Sequence, residues 1–257
     1  MKIKKAKGSI RVVTYNAHFG ADTAGISRAF KNNANLCSAD VIFFQEIEHH
    51  PKEGISRAEK IAKELGLHFY YAPARTVKKN GTHGIATLSR YPLTENKVIE
   101  LPYFKLILNP RQRICLVSKM SVAGNDITLC NIHLDARLNA SQRIKQLDFA
   151  VNILAQNISE KIILGGDFNT HPLFLAGNMI PLFFQNQYRK LHNFLGLQGF
   201  VHFSRSYSQT MKRWFFGMYL DHIYTNTLPI INSGVEKEIY ASDHFPVWAD
   251  ISLSNFH

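Results

Sequence analysis

Short apolar runs, each followed by a polar or glycine-containing stretch, recur along most of the chain. Runs of about four to eight residues rich in β-branched and aromatic side chains are typical of buried strands. The pattern predicts strands at residues 10–15, 41–45, 85–89, 113–120, 127–133, 161–164 and 220–225, with a final apolar strand after residue 244. Longer segments of helical character separate several of these strands.

The clearest helix is predicted over residues 139–158. Apolar residues recur there at helical spacing, and Asn139 or Ser141 can serve as its N-cap. Weaker helical patterns lie in three further segments, residues 22–37, 55–66 and 180–197. Because strands and helices alternate throughout, and no repeat or flexible linker divides them, we predict one α/β domain over residues 1–257.

Composition narrows the class of protein. The chain has 257 residues, of which 46% are hydrophobic, and this is enough to bury a large core. No apolar run reaches the roughly 18 to 20 residues that span a bilayer, and the basic amino terminus is not followed by the apolar stretch of a signal peptide. Cys37, Cys115 and Cys130 are too few for a disulfide framework and are expected to be small buried residues. We therefore expect a soluble, cytoplasmic protein.

The formal net charge of +11 predicts attraction to polyanions. Nucleic acid and an anionic membrane surface both qualify, and the sign of the charge does not choose between them. The cationic residues are spread along the chain instead of forming a tail, so a solvated basic surface would give the same composition.

Four cations are the leading candidates to hold a polyanionic substrate. Lys78 and Lys79 lie in the polar loop 75–83, which is expected to project from the body of the protein. Arg111 and Arg113 lie in a polar connection that leads into a predicted strand. Both pairs are next to strands that end in polar residues, so their charge is expected to face the same cleft.

Polar side chains gather where the predicted strands end, and a layered α/β protein exposes such positions to a common cleft. Asn16 closes the first strand, Glu46 closes the second, and His133 ends an alternating strand. The strongest signal is GGDFN, in which a buried strand runs into two glycines and then presents Asp167 and Asn169. At strand spacing these two side chains would point the same way, aiming a carboxylate and an amide at one point.

An acid and an imidazole stand side by side in Asp243 and His244, just before the final predicted strand. A carboxylate can bind a hard cation while a neighbouring imidazole donates a hydrogen bond or moves a proton. Asp221 adds a carboxylate at the start of another strand. His222 would lie on the face opposite Asp221, so we expect it at the surface.

The ordered series TYN, QE, HGIATLSR, NIHL, GGDFN, LDHI and SDHFPV runs from residue 14 to residue 248. This series resembles the endonuclease/exonuclease/phosphatase superfamily, which has the DNase-I-like fold. The resemblance implies a four-layer α/β sandwich, with two mixed β-sheets face to face and helices outside. It also implies a metal-dependent phosphoesterase with its active site at one end of the sandwich.

The resemblance assigns a role to each motif residue. It implies that Glu46 is the main ligand of Mg²⁺, with Mn²⁺ as a substitute, and that Asn16 and Asp243 lie near the metal. The implied catalytic residues orient water and phosphate, donate hydrogen bonds to phosphoryl oxygens or move a proton; they are His133, Asp167, Asn169, Asp221 and His244. Asp221 would orient His133 or His244. His83 stands where some relatives carry a glutamate, and a contact with the substrate phosphate is expected there.

The substrate is less sharply indicated than the reaction. Residues 133–147 most resemble the 5′-tyrosyl-DNA phosphodiesterases and small bacterial hydrolases, which favours a nuclease-like phosphodiesterase acting on nucleic acid. The loop typical of abasic-site nucleases is missing, and residues 212–221 depart from the motif of inositol polyphosphate 5-phosphatases. The alternatives are a sphingomyelinase-like phospholipid phosphodiesterase or a phosphoinositide phosphatase. The lipid alternative is motivated by the aromatic stretches 180–184 and 214–219.

Overall fold

A computed structural model describes residues 5–105, 111–154, 161–170, 187–202, 209–211 and 218–254. Its strands are β1 (Ser9–Phe19), β2 (Val41–His49), β3 (His68–Val77), β4 (Gly81–Ser89), β5 (Thr94–Glu100), β6 (Ile114–Val122), β7 (Asn125–His133), β8 (Lys161–Asp167), β9 (Asp221–Thr225), β10 (Ile230–Val235) and β11 (Val247–Ser252). Its α-helices are α1 (Thr23–Asn32), α2 (Arg57–Leu65), α3 (Ala140–Leu154) and α4 (Gln187–Leu197).

The strands form two mixed sheets. The first has the order β10-β11-β1-β2-β4-β3 and the second has the order β5-β6-β7-β8-β9. Each sheet contains one parallel pair, β1 with β2 and β7 with β8, among antiparallel neighbours. Because both strands of a parallel pair end at the same edge, each sheet brings two strand ends together at one place.

Alternating side chains divide the protein into four layers. Val12 faces the interior between the two sheets, whereas Val13 faces the helices that cover the first sheet. On the second sheet, alternate residues such as Cys130 and Leu164 pack against α3 and α4. This period of two is what a strand buried on both faces produces. The four-layer α/β sandwich predicted from the sequence is confirmed.

Amide side chains tie the two sheets together close to their shared end. Gln45 of β2 donates from Nε2 to Oδ1 of Asn131 of β7 over 2.8 Å. Asn131 in turn donates from Nδ2 to the backbone carbonyl of Ala86 over 2.9 Å. All three groups are buried, so each bond replaces one that water would otherwise make. The bridge fixes how the ends of β2 and β7 are aligned.

The two glycines of GGDFN allow close approach within this sandwich. A Cβ atom on Gly165 would lie 2.8 Å from the Phe43 ring of the facing sheet. A Cβ atom on Gly166 would overlap the carbonyl oxygen of Ile132 on the neighbouring strand. A side chain at either position would therefore push β8 away from its neighbours.

A buried ion pair occupies the opposite end of β1. Arg11 donates from Nε and Nη2 to the two carboxylate oxygens of Asp250 over 2.6 and 2.7 Å. Its Nη1 donates to the Asn35 carbonyl and to Ser38 Oγ, both over 3.0 Å. The guanidinium also lies 4.3 Å from the ring centroid of Trp248. The Arg11 cluster, defined by these five residues, thus leaves the buried cation well supplied with acceptors.

All seven internal strands and the final strand predicted from the sequence are present, with shifted ends. The helices predicted over 22–37, 55–66 and 139–158 correspond to α1, α2 and α3, and Asn139 is the N-cap of α3. In the apolar region 180–197 the described part is α4. Three strands were not predicted, namely β3, β5 and β10.

Two further expectations need correction. The segment 75–83 is not a projecting loop, because its two ends belong to β3 and β4 and only Lys78–Asn80 forms the turn between them. Cys115 and Cys130 are buried as expected, but Cys37 is partly exposed. Across the described ranges, no helix is both long and apolar enough to cross a membrane.

Candidate active site

Glu46 lies at a bulge in β2, where the pairing with β4 shifts between Phe44 and Ile47. Its φ of 51° is in the left-handed region, which is uncommon for a residue other than glycine and costs of order 1 kcal/mol or more. No described residue donates a hydrogen bond to its carboxylate, which is 20% exposed. A strained backbone thus presents, at the end of the sandwich, a carboxylate whose oxygens are available as metal ligands.

His133 is held as a neutral hydrogen-bond donor. Nη1 of Arg113 lies 2.8 Å from Nδ1 of His133, and both residues are buried. A guanidinium can only donate, so Nδ1 accepts and the imidazole proton resides on Nε2. Nε2 lies 3.6 Å from Oδ2 of Asp167 and 3.8 Å from Oε1 of Glu46. Burial and the charge of Arg113 hold the pKa of His133 well below its usual range.

Asp167 ends β8 and accepts two hydrogen bonds, from Nδ2 of Asn16 and from the backbone N–H of Asn169, each over 2.9 Å. Burial, reinforced by the charge of the neighbouring Asp221, raises the pKa of Asp167 to about 7. A carboxylate with this pKa can accept a proton near neutral pH. The structure therefore gives Asp167 the properties of a general base.

Asn169 does not follow the strand spacing expected from the sequence. Strand β8 ends at Asp167, and Asn169 has a left-handed φ of 50°. Its Nδ2 donates to the carbonyl of Leu134 over 2.8 Å. The amide is thus tied to the segment that follows His133, while the backbone N–H of Asn169 supports Asp167.

His244 forms a buried ion pair with Asp221. Nδ1 of His244 lies 2.8 Å from Oδ2 of Asp221, and both side chains are almost completely buried. Burial alone would lower the pKa of His244, but the Asp221 carboxylate outweighs it and raises that pKa to about 10. His244 is therefore a cation near neutral pH, and its Nε2 remains available as a donor. Asp221 contacts His244 and not His133.

Asp243 lies at the same end of the sandwich but is engaged by a histidine that the sequence reasoning missed. Oδ1 of Asp243 lies 2.9 Å from Nδ1 of His18, and Oγ of the adjacent Ser242 donates to the carbonyl of Asn16 over 2.7 Å. These contacts connect the loop before β11 to the end of β1. The spacing of two residues between Asn16 and His18 was a signal that could have identified His18.

The residues expected to bind substrate are not equivalent. Lys78 and Lys79 are exposed at the turn between β3 and β4, and Arg111 is partly exposed. Arg113 is 5% exposed and faces His133, so it does not extend into an open cleft. His83 is 1% exposed, and within the described part of the chain neither ring nitrogen makes a hydrogen bond, although Nδ1 lies 3.6 Å from Oε1 of Glu48.

Among the residues that the structure describes, two groups of side chains could hold a metal ion. In each group the potential ligand atoms lie within 4.8 Å of one another; the groups are Glu46 with His83 and His133, and Asp167 with Asp221 and His244. The second group is already committed, because Asp221 and His244 pair with each other. Glu46 has no such partner, and its oxygen donors suit a hard divalent cation. The Glu46 carboxylate therefore fits a hard cation better than the residues around His244 do, whereas His133 offers no free nitrogen, because Nδ1 accepts from Arg113 and Nε2 carries the proton.

His222 contradicts the expectation of a surface position. It is 4% exposed and packs in an aromatic cluster behind β9, with ring centroids 5.0 Å from Tyr188 and 5.5 Å from His202. Alternation did place it opposite Asp221, but that face of the edge strand is covered by α4. The aromatic stretch 180–184 and residues 214–217 of the second stretch lie outside the described residues.

Comparison with known proteins agrees with this architecture. A family model described as the Endonuclease/Exonuclease/phosphatase family matches residues 13–244. Similar solved structures include an endonuclease/exonuclease/phosphatase from Beutenbergia cavernae, 18% identical over 96% of this chain and 72% of that one, with a TM-score of 0.78. A mannosyl-6-phosphatase from Bacteroides thetaiotaomicron is 16% identical over 95% of this chain and 99% of its own, with a TM-score of 0.69.

TDP2 from Caenorhabditis elegans is 16% identical over 95% of this chain and 74% of its own, with a TM-score of 0.64. At these identities the likeness to solved structures shows the fold. No curated protein matches the chain by sequence.

Proposed function

We propose that this phosphoester hydrolase, which belongs to the endonuclease/exonuclease/phosphatase family, acts on a nucleic-acid phosphodiester and uses Mg²⁺ as its cofactor. The main support for the proposal is that three groups with different protonation states lie at the same end of the sandwich as the Glu46 carboxylate, which accepts no hydrogen bond from a described residue. They are the neutral donor His133, which lies 3.8 Å from Glu46 and 3.6 Å from Asp167, the carboxyl group of Asp167, and the cation His244, which groups with Asp167 and Asp221.

Glu46 is proposed as the main metal ligand, with Asn16 and Asp243 near the ion. Oxygen donors are the ligands that Mg²⁺ prefers, and the family is typically dependent on divalent metals. When bound, Mg²⁺ supplies positive charge that stabilises the charge developing on the phosphoryl oxygens. Mn²⁺ accepts the same donors and is expected to substitute.

The protein groups divide the remaining work by their protonation states. Asp167 accepts a proton from the attacking water, because its pKa is raised to about 7 by burial and by Asp221. His133 donates from Nε2 and His244 donates as a cation to the phosphoryl oxygens. Asp221 is a positioning residue for His244, and Asn169 supports Asp167 through its backbone N–H.

Charge supports nucleic acid as the substrate. The net charge is +11, and Lys78 and Lys79 are exposed at the turn between β3 and β4. A phospholipid or phosphoinositide substrate remains the alternative, but within the described parts of the chain it is supported by charge alone. Free cysteines suit a reducing compartment, and a cytoplasmic location belongs to the same proposal.

A substrate panel tests the proposal. We would incubate the protein with Mg²⁺ and single-stranded DNA, double-stranded DNA, RNA, a 5′-phosphotyrosyl oligonucleotide, sphingomyelin vesicles or phosphoinositide vesicles. We expect cleavage of at least one nucleic acid, and loss of that cleavage in EDTA, with Glu46→Gln and with Asp243→Asn. Glu59→Gln, on the outer helix α2, is the matched control and should keep full activity.

Two results would contradict the proposal. Full turnover in EDTA or by the Glu46→Gln protein would exclude the metal mechanism. Hydrolysis of a lipid without cleavage of any nucleic acid would exclude the nucleic-acid substrate and support the lipid alternative.

A further inference from the structure

Three arginine side chains from both sheets interact electrostatically with one another, and two of them, Arg75 and Arg113, also with Glu46. Arg75 is in β3 of the first sheet, directly opposite His83 of β4. Arg111 and Arg113 precede β6 of the second sheet. Burial lowers the pKa of Arg75, and the charges of Arg111 and Arg113 lower it further, because the three cations are close enough to repel one another. We call these three residues the arginine cluster.

The arginine cluster is poorly supplied with acceptors. Nε of Arg75 and Nε of Arg113 are buried and have no hydrogen-bond partner among the described residues. Among the described residues, nothing accepts from the side chain of Arg111, whose backbone N–H alone is bonded, to Asp135 over 2.8 Å. Arg113 is buried, whereas Arg75 and Arg111 are partly exposed. A buried cation with an unpaired donor is costly and is rarely kept for stability. An anion bound here would satisfy the unpaired donors.

Among the described residues, the carboxylates near the arginine cluster accept no hydrogen bond from its guanidinium groups, although Glu46 and Glu48 attract Arg75 electrostatically and Oε1 of Glu48 lies 3.6 Å from Nδ1 of His83. Oε2 of Glu48 lies 2.8 Å from Nε2 of His50 and 3.6 Å from Nη1 of Arg57. Glu46 is the proposed metal ligand. His83 adds no charge, because burial and the nearby arginines lower its pKa to about 3. Its two unpartnered nitrogens nevertheless offer one donor and one acceptor at the same place.

We propose that Arg75 and Arg111 bind a second phosphate of the substrate, one that does not react, with His83 as a further donor. This inference rests on the proposed function. Arg113 contacts Nδ1 of His133, and Nε2 on the other side of the ring faces the reacting phosphate. The second phosphate therefore lies on the Nδ1 side of the imidazole. Guanidinium groups pair with phosphate oxygens in a bidentate manner. The substrate class is a nucleotide chain with two phosphates separated by a sugar.

Dinucleotides test this inference without any assumption about strand polarity. We would compare kcat/KM for a thymidine dinucleotide that has no terminal phosphate, a 5′-phosphate or a 3′-phosphate, with Mg²⁺. We expect one terminal phosphate to raise kcat/KM by about ten-fold or more, on the scale of one charge-assisted pair. Arg75→Gln should reduce this preference to about two-fold or less, whereas Arg28→Gln, an exposed change on α1, should keep it.

Binding of pyrophosphate to the metal-free protein gives a second readout that does not need turnover. We expect inorganic pyrophosphate to raise the melting temperature in EDTA, Arg75→Gln to abolish the rise, and Glu46→Gln to retain it. Circular dichroism would establish that Arg75→Gln is folded. The inference is overturned if neither terminal phosphate is preferred, or if the preference and the pyrophosphate effect survive Arg75→Gln. Loss of all hydrolysis with an Arg75-dependent pyrophosphate effect would contradict the proposed function and leave the anion site standing.

Discussion

Two buried arginines, at opposite ends of the sandwich, differ in how completely they are paired. Arg11 has acceptors for Nε, Nη1 and Nη2, including both oxygens of Asp250. Arg113 has His133 as a partner for Nη1, and its Nε has no partner in the described ranges. About 17 Å of β1 separates Arg11 from Asn16 at the active end, because a strand advances roughly 3.3 Å per residue.

The difference distinguishes a cluster that stabilises the fold from one that is open to a ligand. Buried polar groups are normally satisfied, and unsatisfied ones concentrate where a ligand, ion or reaction will engage them. At the Arg11 end the protein supplies the partners. At the Glu46 end it leaves acceptors and donors without partners, including Oδ1 of Asp221 and both nitrogens of His83.

The largest effect is expected when the satisfied arginine is removed. Arg11→Met leaves the Asp250 carboxylate buried without its cation, so we expect the free energy of unfolding to fall by about 3 to 5 kcal/mol. Arg113→Met removes a cation that is already poorly paired and should change the free energy of unfolding by less than about 1 kcal/mol. Urea denaturation at pH 7 measures both. Equal losses in the two variants would remove the contrast.

Removing a charge at the active end should affect turnover and not stability. Asp167→Asn deletes the proposed base, and we expect turnover to fall by about 100-fold or more. Its stability should be unchanged within about 1 kcal/mol, because the repulsion between Asp167 and Asp221 is relieved. Asp250→Asn is the matched variant at the other end and should lower stability while leaving turnover per folded molecule intact. Loss of turnover with Asp250→Asn together with loss of stability with Asp167→Asn would contradict this prediction.

Two histidines behind β9 extend the comparison to pH: among the described residues Nδ1 of His202 has no hydrogen-bond partner, whereas Nε2 of His222 lies 3.0 Å from the carbonyl oxygen of Tyr219. Burial lowers the pKa of His202 to about 4 and holds the pKa of His222 well below its usual range, whereas an unfolded histidine titrates near 6.5. As pH falls from about 6.5 to 4, the unfolded state binds protons that the folded state excludes, so stability falls with pH. His202→Gln should reduce this loss by up to about 3 kcal/mol, and the exposed His68→Gln should not. Urea denaturation at pH 7.5, 5.5 and 4.5 would detect an unchanged slope, which would contradict the prediction.

The smallest effect is expected from the exposed lysines at the β3–β4 turn. Replacing Lys78 and Lys79 with alanine should weaken DNA binding across sequences and reduce the slope of log K against log salt by up to about two. Stability should not change. Lys60 and Lys63 on α2, replaced together, are the control pair. Fluorescence anisotropy at several salt concentrations would test this, and an identical slope in both double variants would exclude a role for the turn.

The interior of the fold was predictable from the sequence, and its edges were less so. Every predicted strand is largely buried, whereas the missed strands β3, β5 and β10 all lie at the edge of a sheet. An edge strand is half exposed and carries polar residues, so its apolar alternation is weak. Of seven residues in β5, only Ile99 is buried. Propensity therefore failed where tertiary contacts on one side decided the conformation.

Within the candidate site, too, residues on central strands were predictable and residues on edge strands were not. Residues at the ends of central strands could be identified, and Glu46, His133 and Asp167 do lie close together. What the sequence could not predict depends on contacts across the sandwich. Arg75 is a polar residue in an unpredicted edge strand, and only the facing sheet brings it beside Arg113.

The bridge between β2 and β7 and the pairs at the active end connect residues that are far apart in the chain. Asn16 and Asp167 are separated by 151 residues, and His18 and Asp243 by 225. Neither sheet alone contains a complete set of groups, so no folding intermediate with a single formed sheet can be active. Contacts of such long range form late and slowly. During synthesis, activity can appear only after His244 has left the ribosome and both sheets have docked. For the same reason, the rate at which turnover recovers measures the last step of refolding.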